Sequence, residues 1–328
     1  MLNRVCSRFL ILAGILAATA VNAQELLVLG GLAHESGLNE TTYAWSIGYN
    51  HGLGDNAYLS LGWYNEGHLQ DHHRDGPATQ LWGRFNFMDR RLSLALGIGP
   101  YAYFDTAQAA EGASYANDHG FGLIYSAGLS WYSPQRWLWQ LRINHIATDV
   151  PIDTTNLLLG VGYQLDAPVD PGPRPYASLH FKNTTRNELT LFAGQTILNS
   201  LQSDNSNAFA LEYRRGMGTY VDWTVGWLHE SGNHIIRRNG ATAQLWLVRP
   251  FLQDRLALGA GVGAYFVVNK EHFAENTDDG DENISAIITL TTSYRLNSRW
   301  LARVSWNRIA TDYSRDTDVF LIGGGYRF

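Results

Sequence analysis

Residues 299–328, RWLARVSWNRIATDYSRDTDVFLIGGGYRF, align without a gap to residues 136–165, RWLWQLRINHIATDVPIDTTNLLLGVGYQL, at a constant offset of 163, with 14 of 30 positions identical. Upstream the match continues at an offset of 164. There Gln80-Leu81-Trp82 meets Gln244-Leu245-Trp246, Gly97 and Gly99 meet Gly261 and Gly263, and Gly62-Trp63 with Glu66 meets Gly226-Trp227 with Glu230. A unit of about 160 residues is therefore present twice, far beyond the roughly 20–50-residue periods of solenoids and propellers. Any fold proposed for the chain must be built from two such units.

Period-two alternation fills each unit. In the first, eight strands are expected near 25–33, 42–51, 56–66, 78–87, 91–104, 119–132, 136–146 and 155–165. In the second they fall near 187–198, 206–215, 219–230, 241–250, 255–268, 284–295, 299–309 and 317–328. Each is about the 9–11 residues that a tilted strand needs to cross a bilayer. The connections after the second, fourth and sixth strands are tight, whereas those after the odd strands, ESGLNETT, GHLQDHHRDG, TAQAAEGASYAND and TDVPID, are longer and polar. Short turns at one end and longer loops at the other are the pattern of an outer-membrane barrel.

The faces agree with lipid outside and a polar interior. Leu59, Leu61 and Trp63 oppose Tyr58, Ser60, Gly62, Tyr64 and Glu66, and Trp137, Trp139, Leu141 and Ile143 oppose Gln140, Arg142 and Asn144. In the second unit Val221, Trp223, Val225 and Trp227 oppose Asp222, Thr224 and Glu230. Trp63, Trp137, Tyr163 and Tyr326 sit near strand ends, where aromatic girdles form. The fold class expected is thus all-β, a transmembrane antiparallel β-barrel of about sixteen strands. Sixteen strands close either as two tandem eight-stranded barrels, with side chains filling each interior, or as one merged barrel with an aqueous channel. The proline-rich DAPVDPGPRP segment and the many inward glycines favour two.

Residues 1–23 read as a secretory signal peptide, with Arg4 and Arg8 before an apolar run from Phe9 to Ala20 and a small-residue cleavage site at Val21-Asn22-Ala23. It holds the chain's single cysteine, Cys6, so the rest of the sequence offers neither a disulfide nor a cysteine metal site. The formal net charge of −6 argues against nucleic acid as a partner. The domain plan is a signal peptide over 1–23, a first barrel unit over 24–166, a periplasmic linker over 167–186 and a second barrel unit over 187–328. The terminal Tyr326-Arg327-Phe328 resembles the signal read by the outer-membrane assembly machinery. That machinery, outer-membrane lipid and lipopolysaccharide are the expected partners.

Candidate chemistry lies at the outer rim of the first unit. Glu66 and His68 end the third strand, Asp71, His72, His73 and Asp75 follow in the loop, and His145 with Asp149 and Asp153 ends the seventh strand. A His beside a carboxylate is the minimum for general-base work or for a divalent metal. No metal or cofactor is nonetheless expected, because HLQDHHRDG lacks a recognised ligand spacing. The second unit offers His229, Glu230 and His234 nearby but Arg308 where the first has His145. The pairs Asp149 and Asp312, and Asp153-Thr154 and Asp316-Thr317, fit turn-forming roles. The inward charges read as lumen networks, Glu66 with Arg84 or Arg142, and Glu230 or Asp222 with Arg303, flanked by Asn144 and Asn307.

With its signal peptide, eight strands per unit and a strand ending in RINHIATD, the chain resembles the small eight-stranded outer-membrane barrels, among them the adhesion or resistance type and the lipid A 3-O-deacylase type. The deacylase resemblance implies a catalytic His and Ser two residues apart near the end of a late strand. His145 matches the His, but Ala147 stands in place of the Ser, and the second unit reads Arg308-Ile309-Ala310. The expected function is therefore an outer-membrane structural or surface-interaction barrel rather than an enzyme. The alternatives are a passive porin-like channel if the units merge, and a lipid A-modifying enzyme if Glu66, His68, His145 and Asp149 converge.

Overall fold

In the computed structural model, residues 24–35, 37, 39–69, 72–108, 115–148, 152–165, 172–173, 185–200, 203–217, 220–231, 236–272 and 283–328 are described. The signal peptide, Asp71, Asp149, His234 and most of the stretch 166–184 lie outside them.

The alternating segments all become strands. The first unit holds β1 (Gln24–Glu35), β2 (Glu40–Gly52), β3 (Ala57–Leu69), β4 (His72–Phe87), β5 (Leu92–Ala107), β6 (Ala116–Tyr132), β7 (Trp137–Thr148) and β8 (Thr154–Gln164). The second holds β9 (Glu188–Leu198), β10 (Asn205–Gly216), β11 (Val221–Glu230), β12 (Ile236–Phe251), β13 (Leu256–His272), β14 (Ile284–Arg295), β15 (Trp300–Ala310) and β16 (Thr317–Arg327). Each set is a closed antiparallel barrel in sequence order. Closure is direct: β8 returns to β1 with Gln164 opposite Glu25, and β16 returns to β9 with Arg327 opposite Glu188. Both rings are complete at eight strands, so no edge remains to form one merged barrel.

The registers of the two barrels superimpose through the sequence offset. Ser60 faces Gln80 as Thr224 faces Gln244, Trp82 faces Gly97 as Trp246 faces Gly261, and Asn144 faces Asn156 as Asn307 faces Val319. A one-residue slip would turn every side chain to the other face. The shared register is therefore what gives both barrels the same inside.

The outside is an apolar belt. Val28, Leu32, Ile47, Leu81, Phe85, Leu96, Trp139 and Leu159 are exposed around the first barrel, and Leu191, Phe209, Leu245, Val304 and Ile322 around the second. Trp137 meets Tyr163 edge-on at 5.0 Å, and Trp300 meets Tyr326 edge-on at the same distance. This aromatic pair is retained at one end of both belts.

Two expectations need correction. The segment HLQDHHRDG is mostly strand: β3 runs to Leu69 and β4 starts at His72. Beyond the bilayer neither face needs to be apolar, so the alternation that marks a strand disappears although its backbone ladder continues. Trp63 is not part of a lipid-facing girdle either. It is only 3% exposed, donates Nε1–H to Asp75 at 3.1 Å and stacks on Phe104.

Candidate functional site

The strand ladders bring the chain's buried charges together inside each barrel. In the first, the β3–β4 pairing carries a bulge between Asn65 and His68, and this sets Arg74 of β4 against Glu66 of β3. The guanidinium and carboxylate engage through both oxygens, Arg74 Nε donating to Glu66 Oε1 at 2.8 Å and Nη2 to Oε2 at 2.7 Å. Tyr101 OH donates to the same carboxylate at 2.8 Å, and the Thr154 hydroxyl also donates to it. Arg74 Nη1 is used up on Thr148 Oγ1 at 3.1 Å and on Ile152 O at 2.8 Å.

The second barrel repeats this cluster. Arg238 donates to Glu230 at 2.9 and 3.0 Å, and its remaining donors reach Thr317 Oγ1 at 2.8 Å, Tyr313 OH at 3.1 Å and Arg315 O at 3.2 Å. Thr317 and Thr196 donate to Glu230 at 2.8 and 3.1 Å. Glu66, Glu230 and Arg238 have no exposed surface. An ion pair so far from water persists only when its spare donors and acceptors are also matched, as they are in both barrels.

Glu66 therefore does not pair with Arg84 or Arg142, nor Glu230 with Arg303. Arg84 lies one end of the barrel away, donating to the carbonyls of Asp55 and Gly54 at 2.9 Å, its guanidinium over Tyr58. Arg142 donates to Gln140 Oε1 at 2.9 Å and to Tyr64 OH at 3.0 Å. From there a relay of hydrogen bonds runs through Gln80 and Ser126 to Asn144. In the second barrel Thr289 Oγ1 lies 2.8 Å from both Gln244 Oε1 and Asn307 Oδ1. Arg303 binds Glu188 and, at 2.9 Å, Glu212, while Asp222 lies 3.8 Å from Arg214. The sequence-level pairing failed because strand alternation gives the face of a charge but not its height in the lumen. Arg74 and Arg238 were passed over, although both are Arg, eight residues after the matched glutamates at the same offset of 164.

Between these layers each barrel holds a tryptophan flat against a glycine. A Cβ on Gly97 would sit 2.4 Å from the Trp82 ring, and one on Gly261 would sit 2.6 Å from Trp246. Trp82 Nε1 donates to Ser60 Oγ at 2.8 Å, and Trp246 Nε1 to Thr224 Oγ1 at 2.9 Å. Arg142 caps the first ring and Arg214 the second, at 4.9 and 4.0 Å from the centroids.

The rim candidates do not converge. Glu66 points into the lumen, whereas His145 is exposed on the outer face beside Tyr125, 3.2 Å from Thr155 Oγ1. The barrel wall separates them. The His68 and His73 rings lie tilted to one another with centroids 4.3 Å apart, and His72 bonds Asp105 at 2.8 Å. Asp153 and Asp316 cap the same turn in the two barrels, accepting from the backbone N–H of Thr148 and Thr311 at 3.2 and 2.7 Å. Among the described residues no group of three or more His, Cys, Asp or Glu side chains is placed to hold a metal ion.

Closed antiparallel rings with an apolar outer belt, an aromatic pair at one edge and polar interiors define a transmembrane β-barrel protein, here carrying two eight-stranded barrels. No protein-family model and no curated protein matches the chain. Among solved structures it is similar to Neisserial surface protein A, at 12% identity and a TM-score of 0.38, over 44% of this chain and 99% of that one. It is likewise similar to the N-terminal β-barrel domain of Pseudomonas aeruginosa OprF, at 14% identity and a TM-score of 0.35, over 44% of this chain and 98% of that one. A third is Ail, the attachment invasion locus protein of Yersinia pestis, at 14% identity and a TM-score of 0.33, over 43% of this chain and 98% of that one.

Proposed function

We propose that the protein is exported by the segment 1–23 to the bacterial outer membrane, where its two barrels serve as closed structural elements that present a surface to the cell exterior and conduct no ions. The observation that carries this reading is the filled interior. The Glu66–Arg74 and Glu230–Arg238 clusters and the Trp82 and Trp246 layers occupy the lumens with fully buried side chains. An eight-stranded ring is just wide enough for its own side chains and leaves no aqueous path once they are packed. The surface role draws on strand length: β4, β5 and β12 have 16 residues, β6 and β13 have 17. A tilted crossing needs about 9–11, so several residues of each strand extend past the hydrocarbon. Lipid and lipopolysaccharide are the partners of the belt itself.

Planar-bilayer recording on the full-length protein tests the closed state. No discrete conductance steps are expected, and steps of open-channel size from folded protein would overturn the reading.

A further inference from the structure

The short-turn end of the second barrel gathers like charges that the first barrel lacks. Two backbone hydrogen bonds recur in both rings. Tyr132 N–H donates to Arg91 O as Arg295 N–H does to Arg255 O, each at 2.7 Å. Gln164 N–H donates to Arg136 O at 2.7 Å, as Arg327 N–H does to Arg299 O at 2.8 Å. The same ladder positions thus set a tyrosine and a glutamine beside arginines in the first barrel, but arginine beside arginine twice in the second. Like charges directly across a ladder repel. Arg186, Arg295 and Arg303 all stand close enough to Arg327 to repel it as well.

The carboxylates of this end are engaged elsewhere. Asp254 is bound to Arg295, Glu212 to Arg214 and Arg303, and Glu188 to Arg303, while Asp222 faces Arg214 at 3.8 Å. Arg327 Nε is left with Glu188 Oε2 at 3.7 Å, beyond hydrogen-bond reach. The Arg327 side chain is 10% exposed and that of Arg303 3%, and the Nε of each is buried without a hydrogen-bond partner. A buried donor in that state marks a place where an acceptor is missing. Arg186, Arg255 and Arg299 are exposed at the same mouth and add three more cations. The first barrel meets its own chain there instead: Gln164, which corresponds to Arg327, donates Nε2–H to Gly172 O at 2.9 Å, and Arg90 donates to Pro173 O. An amide suits a carbonyl, whereas a guanidinium beside other guanidiniums calls for an anion.

We propose that the short-turn mouth of the second barrel binds the phosphate group of a soluble phosphomonoester. Arg295, Arg303 and Arg327 lie on the consecutive strands β14, β15 and β16, and Arg186 stands just before β9, the next strand of the ring. Donors converging from several strands suit a tetrahedral dianion, whose oxygens can each take a guanidinium; a planar carboxylate is satisfied by one bidentate fork. Arg303 and Arg327 follow the inward alternation of Ser305 and Gly325, so the ligand enters from the water at the mouth, and lipid headgroups at the belt lie across the wall. Trp246, with Arg214 at 4.0 Å from its centroid, is the floor of the site. The phosphate is held there and not passed through.

Titration calorimetry of the full-length protein, folded in detergent micelles, with glycerol phosphate at constant ionic strength tests the site. Saturable binding is expected, with acetate weaker by about tenfold or more. Arg327→Gln, which installs the residue of the first barrel, should weaken binding by about tenfold or more, the loss of one hydrogen bond to a charged group. Arg299→Gln, at an exposed position where folding is not at stake, should weaken it by about two- to fivefold. Arg136→Gln, the matching change in the first barrel, should leave it unchanged. Heat-dependent gel mobility identifies the protein whose barrels are intact. No saturable binding by such protein, acetate binding as tight as that of glycerol phosphate, unchanged affinity in either second-barrel variant that folds, or a response to phosphatidylglycerol micelles alone would overturn the proposal.

Discussion

The two barrels share a register but fill it differently, and the difference changes along the lumen. At the end where strands extend past the belt the filling is the same: Glu66 with Arg74, Tyr101 and Thr154 in one, Glu230 with Arg238 and Thr317 in the other. At the opposite end it is not. The first barrel packs Tyr58 on Trp82, and Glu25 accepts from Asn50 and Tyr132. The second puts Arg214, Arg303, Glu188, Glu212 and Asp222 into the same layer. Gly48 corresponds to Glu212, Asn50 to Arg214, Tyr58 to Asp222 and Gln140 to Arg303, so two positive and two negative charges stand where the first barrel has none. A closed lumen tolerates exchange of its chemistry layer by layer where the charges that one layer gains face opposite charges in the same layer.

The largest effect should come from splitting the retained ion pair. Glu66→Ala or Glu230→Ala leaves a buried arginine without its counter-charge and is expected to cost about 3–5 kcal/mol in urea unfolding of the folded protein. Replacing both members by leucine and methionine should recover most of that loss. Equal losses in the two barrels would show that the two layers are equivalent. A loss under about 1 kcal/mol would show that water reaches the layer.

The glycine seats should give the next effect. Gly97→Val and Gly261→Val each force a side chain into the face of a tryptophan, for an expected cost of about 1–3 kcal/mol. Trp82 is capped by Arg142 and Trp246 by Arg214, so a larger loss in one barrel would show which capped ring yields less. The smallest effect is expected at the belt edge, where Trp137→Ala and Trp300→Ala each remove one edge-on aromatic contact worth about 0.5–1.5 kcal/mol beyond the area it buries. Similar values are expected, since the two pairs share their geometry.

Much of the fold was legible because a barrel wall has one rule per residue. Leu94, Leu96 and Ile98 alternate with Ala95, Gly97 and Gly99, and the strand bounds followed to within a few residues except at the extended ends of strands such as β4 and β12. Closure into two rings was one of two readings, because alternation is the same in an eight- and a sixteen-stranded ring. The lumen pairings were not legible. Arg74 lies in HLQDHHRDG, where both faces are polar, and only the bulge beside Gly67 shows which residue it meets. The rim histidines misled for a related reason. His145 on β7 and Glu66 on β3 stand four strands apart in the ring, and one faces out while the other faces the lumen. The contacts of His229 were not legible either, because its cross-strand partner Asn239 is ten residues away and is brought back only by the β11–β12 hairpin, beside Ser231.

That hairpin also explains why the first barrel lacks the same arrangement. The residues that correspond to His229, Ser231 and Asn239 are Asn65, Gly67 and Asp75. Gly67 has φ of +71°, and a Cβ there would lie 2.1 Å from the carbonyl oxygen of Tyr43. A serine at that position would have to break the turn that presents it. The glycine thus acts as a lock on divergence: while the bulge stands, one copy is barred from a change that its twin was free to make. Duplication left two walls of one plan, and a single left-handed residue keeps one rim from taking the side chain that its twin carries.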